Sequence, residues 1–117
     1  MKIKTFLAVL MIALVVNGCK KSSKETPAPV TATPGANEVF IQNSAFSPAS
    51  ITVAVNTTIT WTNKDNLSHT VTSNTGAFDS GLIGVSGGTY SHQFTTAGTF
   101  VYHCAVHSGM TGTVVVQ

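Results

Sequence analysis

TFVYHCAVHSGMTGTVVVQ, residues Thr99 to Gln117, is the stretch on which the fold turns. Its opening residues alternate. Phe100, Tyr102 and Cys104 fall on one side and Val101 and His103 on the other, the period of two of a strand with one buried face. The aromatic pair marks the inner side, so Cys104 enters the interior at the strand's end while His103, its neighbour, faces outward. Ser108 and Gly109 are turn formers, and TGTVVVQ starts a new strand that returns beside the first.

The same pattern extends upstream to Glu38. Short β-branched and aromatic runs follow one another, separated by Gly, Asn, Ser and Pro: EVFIQN, then SITVAV after an FSP turn, TTITWTN, HTVTS, GTYSHQF, TFVYHC and TGTVVVQ. Ile51, Val53 and Val55, then Ile59 and Trp61, repeat the inward period of two. The glycines of NTGAFDSGLIGVSG (74–87) argue for an irregular loop with at most a short helical turn. Some seven strands in about 80 residues predict an all-β sandwich, residues 38–117.

Charge is sparse in this part of the chain. All six basic residues are lysines, and five of them precede residue 25. From Glu38 onward Lys64 stands against Glu38, Asp65 and Asp79, 1 minus 3 giving −2. That balance leaves no electrostatic footprint for nucleic acid.

The N-terminus reads as a processing signal. Lys2 and Lys4 precede an apolar run from Phe6 to Val16, too short to span a bilayer, which ends in Asn17, Gly18 and Cys19. A small residue before a cysteine at the end of a signal resembles the bacterial lipobox. Residues 1–18 are therefore expected to be a lipoprotein signal peptide and Cys19 the lipidated first residue of the mature chain, although Asn17 departs from the box. An ordinary signal peptide or an uncleaved anchor are the alternatives. Residues 19–37, KKSSKETPAPVTATPGAN after Cys19, are polar and proline-bearing and read as a flexible, extended tether. The expected location is the periplasmic or another extracytoplasmic face, anchored to a membrane. Acylation of Cys19 leaves Cys104 unpaired, and a free thiol in an oxidising compartment needs burial or a bound partner.

HCAVHSGM supplies that partner's chemistry. The turn brings His107 and Met110 back toward the Cys104 sulfur, giving a thiolate, an imidazole and a thioether from one loop. A trigonal copper site needs a second imidazole. His69, opening HTVTS just after the polar turn NKDNLS, sits at a sheet end where loops gather. His92 lies mid-strand beside Tyr90 and Phe94, and it reads as a packed or edge residue. Soft thiolate and thioether favour Cu(I), and imidazole suits both copper oxidation states. One such arrangement serves both charges with little movement, which suits one-electron transfer. Zinc gains nothing from a methionine, and structural zinc sites usually take more cysteines. Taken singly, Cys104 and Met110 would pass for core filler and the histidines for surface residues; the joint spacing argues against that.

These residues resemble the small blue-copper proteins, the cupredoxins of the plastocyanin, amicyanin and halocyanin kind. FSPASITVAVNTTITWTNKDNLSHTVTS is similar to the family's first half and GTFVYHCAVHSGMTGTVVV to its C-terminal ligand loop. The CxxHxxM spacing is similar to the short loop of amicyanin. The resemblance implies a Greek-key β-sandwich of seven to eight strands and one type 1 copper held by His69, Cys104, His107 and Met110. It also implies electron exit through the exposed edge of His107, ringed by Leu67, Leu82, Val106 and Met110. His103 is then either a second electron route or a plain surface residue. Two departures bear on the surroundings of the metal. Thr70 stands where relatives commonly carry an asparagine that ties the ligand loops together, and its hydroxyl is expected to reach less far. Ala105 and Val106 stand where a proline often stiffens the loop.

The expected function is a membrane-tethered one-electron carrier, not an enzyme and monomeric, passing electrons between a redox donor and acceptor that dock near His107. Metal delivery or buffering without electron transfer is the alternative, although no Met-rich or His-rich segment occurs in the tether. An oxidase would need further metal sites, and a Cys-His hydrolase would need an orienting third group; neither is recognisable.

Overall fold

The computed structural model describes residues 32–117. The expected signal peptide, Cys19 and most of the tether lie outside the described residues. Among the described residues there is no helix. The elements are β1 (Glu38–Gln42), β2 (Ala45–Ser47), β3 (Ser50–Val53), β4 (Thr57–Asn63), β5 (Thr72–Ser73), β6 (Thr89–Phe94), β7 (Gly98–His103) and β8 (Thr111–Val116). They form two four-stranded sheets, β2-β1-β4-β6 and β3-β8-β7-β5, which make the expected all-β sandwich.

Both sheets are mixed. β1 runs parallel to β4 and β3 parallel to β8, and every other pair is antiparallel. The chain crosses repeatedly between sheets, so each sheet contributes one face to a shared interior. Trp61, fully buried at the centre of β4, packs on Tyr90 and Phe94 of its own sheet, on Tyr102 of β7 and on Phe78 of the 74–81 loop. The Tyr102 ring meets Trp61 edge-on at 5.5 Å and Phe46 at 4.7 Å, the offset geometry that aromatic quadrupoles prefer.

Three details differ from the sequence reading. The FSP segment contributes strand β2 before the turn at Pro48, where a turn alone was expected. HTVTS is a strand only at Thr72–Ser73. His69 makes a single bridge to Ile83, and Val71 lies along Ser80, so residues 69–71 pair with the loop that follows them instead of extending the sheet. Val55, placed inward by the alternation, is exposed because β3 ends at Val53 and the chain turns through Asn56 at φ 71°. The burial of Ile59, Trp61 and Val53 follows the expected period.

The glycine at 112 is set by a close approach. It is the register partner of Tyr102, whose ring passes so close that a Cβ there would overlap the ring and its hydroxyl. Gly112→Ala is therefore expected to destabilise the domain by about 1–3 kcal/mol through overpacking. The check is a denaturant or thermal melt, in which the midpoint falls by about 4–8 °C per kcal/mol for a domain of this size. An unchanged midpoint would contradict the packing described.

Candidate metal centre

The centre lies at the end of the sandwich where β4 of one sheet and β7 of the other finish, just beyond the contact of Trp61 with Tyr102. Inward-facing positions of β4 are Ile59, Trp61 and then Asn63, a polar residue in apolar phase and fully buried. Burying an amide without partners is costly, and Asn63 has its partners. Its Nδ2 donates to the carbonyls of Leu67 (2.8 Å), Gly84 (3.1 Å) and Ile83 (3.2 Å), and its Oδ1 accepts from the Asp65 amide at 2.9 Å. One side chain thus knots the 64–68 turn to the 82–87 loop. His69 sits inside that knot, its backbone bridged to Ile83 in both directions and its ring without solvent exposure.

Cys104 follows β7 directly and is buried, in the inward phase set by Tyr102. Its amide donates to the Met110 carbonyl at 3.0 Å, closing the ligand loop into a ring whose reversal passes through Gly109 at φ 83°. That closure returns Met110, which is buried, to the foot of the loop and turns His107 back toward the cysteine. The Sγ of Cys104 lies 3.6 Å from His107 Nδ1 and 3.9 Å from His69 Nδ1, and the three donor atoms lie within 4.8 Å of one another. The two imidazole rings are 4.6 Å apart between centroids.

These spacings fit one shared ion. Metal–donor bonds of about 2.0–2.3 Å to nitrogen and sulfur separate neighbouring donors by a little under 4 Å in a trigonal arrangement. The electrostatics favour the ligating state of the thiol. Burial opposes its ionisation, but the Thr70 amide at 3.4 Å, the His107 ring and the amides of Val106 and His107 all point to the sulfur and hold its pKa below the ordinary thiol value.

Thr70 reaches further than expected from its sequence. Its Oγ1 accepts from the Ala105 amide at 2.7 Å while its own amide donates to the Cys104 sulfur, so it ties the two ligand segments together. The hydroxyl is braced by Thr72 Oγ1 at 2.9 Å. The absence of proline at 105 matters here, because proline would offer no N–H for this bond.

The remaining histidines stand apart from the cluster. His92 packs between Phe78 and Phe94 in the aromatic interior edge, with its pKa lowered by burial. His103 points away from Cys104 and is held by the side chain of Asn74. Sequence reasoning missed Asp65, whose Oδ2 lies 2.8 Å from Nε2 of His69. The available signal was its place four residues before a ligand candidate, in a polar turn that carries one of the few acids after residue 37. The segments that carry the donors bear exposed apolar side chains: Val106 beside the partly exposed His107, Leu67 two residues before His69, and Leu82 and Val85 on the loop bridged to His69 are each at least half exposed.

Residues 6–116 match the model of the cupredoxin-like domain family. Plastocyanin of Scenedesmus fuscus is 33% identical over 84 residues, 62% of this chain and 86% of its own. Amicyanin-alpha of Methylorubrum extorquens is 31% identical over 109 residues, 90% of this chain and 87% of its own. Among solved structures, the reduced Cu(I) form of an amicyanin mutant superposes with a TM-score of 0.64 at 30% identity, covering 74% of this chain and 87% of amicyanin. A purple cupredoxin from Nitrosopumilus maritimus superposes at 0.62 and 28% identity, covering 68% of this chain and 98% of its own. Fold, donor cluster and sequence therefore agree that this chain belongs to the cupredoxin-like family.

Proposed function

We propose that this protein is a type 1 copper protein and a one-electron carrier, with His69, Cys104 and His107 as the trigonal ligands and Met110 as the axial thioether. The observation that carries the reading is the convergence of one thiolate and two imidazole Nδ1 atoms at a buried sheet end whose apolar rim leaves only His107 partly exposed. Copper bound there supplies a one-electron Cu(I)/Cu(II) couple in a ligand set acceptable to both states.

The protein's own part is to hold the donors still and dry. Asn63 fixes the loops around His69, Thr70 locks them to the Cys104 loop, and the Cys104 to Met110 bond closes that loop. Because the donors are held by hydrogen bonds that involve no metal, little reorganisation accompanies a change in its charge. Exposed Leu67, Leu82 and Val106, on the segments that carry or bridge the donors, offer apolar side chains against which a redox partner can lie close to His107. A lipid on Cys19 and a tether to residue 37 would hold this carrier at the extracytoplasmic face of a membrane. Tethering raises its local concentration near membrane partners while letting the exposed edge reorient.

Metal delivery or buffering is the competing reading, and rigid enclosure of the donors speaks against it. The two separate on kinetics: a carrier releases copper slowly and exchanges electrons quickly between its own oxidised and reduced copies. Fast copper loss to a chelator combined with slow self-exchange would overturn the carrier reading.

Two substitutions sharpen the test. Thr70→Val keeps the shape but removes the acceptor for the Ala105 amide, and it is expected to speed copper loss by about 10-fold or more, measured by chelator competition. Leu82→Glu places like charges opposite each other when two copies meet. Self-exchange measured by NMR line broadening is expected to fall by at least about tenfold, with the visible spectrum unchanged.

A further inference from the structure

The turn between β1 and β2 is built in a way that its role as a hairpin does not require. Asn43 and Ser44 both adopt left-handed backbone, φ 54° and 55°, where glycine is the ordinary second residue of such a turn. The result is a pair of adjacent amides aimed outward from the turn, and both meet Asp65. The Asn43 amide donates to Oδ1 at 2.7 Å and the Ser44 amide to Oδ2 at 3.0 Å. The Asp65 backbone is held as well, its amide by Asn63 Oδ1 and its carbonyl by the Ser86 amide. A carboxylate gripped on both oxygens has one direction left to serve, and Oδ2 lies 2.8 Å from His69 Nε2.

Resting on the copper reading above, we propose that Asp65, clamped by the Asn43–Ser44 turn, is a positioning residue for His69. A carboxylate accepts only, so the Nε2 atom facing it carries a proton, and in the neutral ring that leaves Nδ1 bare toward the Cys104 sulfur 3.9 Å away. The β1–β2 turn thereby selects the ligating tautomer of a residue in another segment, before any metal arrives. The same fixed negative charge beside a ligand ring favours the more positive, oxidised state of the centre. With Asp65 only 14% exposed in its side chain, solvent screens that charge weakly.

Nitrogen-15 NMR of the histidine side chains in the full, metal-free chain tests the tautomer without any variant and without copper. The expected result is a single Nε2–H form for His69. An Nδ1–H form or a mixture of the two overturns the proposal whether or not the protein binds copper, so its failure is separable from failure of the copper reading. The second arm is the reduction potential of the copper-loaded chain. Asp65→Asn is expected to shift the oxidised/reduced equilibrium at least about threefold toward the reduced form, about 28 mV at 59 mV per decade for one electron. Asp65→Glu, which keeps the charge, should restore most of the shift. Equal potentials for wild type and Asp65→Asn would overturn the electrostatic part. If Asp65→Asn does not fold, Ser44→Gly, which keeps the turn and its amide, must leave both the tautomer and the potential unchanged, and a change in either contradicts the clamp.

Discussion

Two hydrogen bonds at Thr70, one donated to the Cys104 sulfur and one accepted from the Ala105 amide, join segments that are 34 and 35 residues apart in sequence. Everything chemical in this domain depends on that junction. A soft trigonal site needs its thiolate and its upstream imidazole within about 4 Å. No single loop of this sequence supplies both, so the sandwich must bring two strand ends together and keep them there. Thr70 is the point at which they are fastened.

The scaffold behind that junction is apolar and rigid. Trp61 and Tyr102, one from each sheet, meet edge-on and lie two residues before Asn63 and Cys104 respectively. The core contact therefore fixes the two strands just below the point where they deliver the polar machinery. Tyr102 fits because Gly112 has no side chain, and Asn63 fits because four backbone groups satisfy it. Packing density and full polar satisfaction at the same level of the sandwich leave the site few ways to relax.

Much of this was legible in the sequence because the period of two is strong where one face is buried. Phe100, Tyr102 and Cys104 pointed inward and His103 outward on alternation alone, and Ile59 and Trp61 likewise marked the face of β4. What the sequence did not disclose are interactions between side chains and the backbone of remote turns. The resemblance pointed to position 70 as a tie between the ligand loops but underrated the reach of Thr70 to Ala105, and nothing signals that Asn63 bonds three carbonyls or that the amides of Asn43 and Ser44 close on Asp65, since these depend on loop paths with no periodicity. The strand ends were also misplaced for a physical reason: His69 and Val71 find partners in the 80–83 segment, which competes with the sheet for their backbone. His69 is the better ligand candidate from its position after a polar turn, and only the fold shows why that position is enclosed.

The most direct test of the central claim is the visible absorption and EPR spectrum of the protein after addition of Cu(II). If Cys104, His69 and His107 bind copper as a trigonal thiolate site with Met110 as the axial group, the complex shows an intense thiolate-to-copper visible band, and the EPR signal reports a single copper species. A colourless complex, or a protein that takes up zinc alone, would contradict the account.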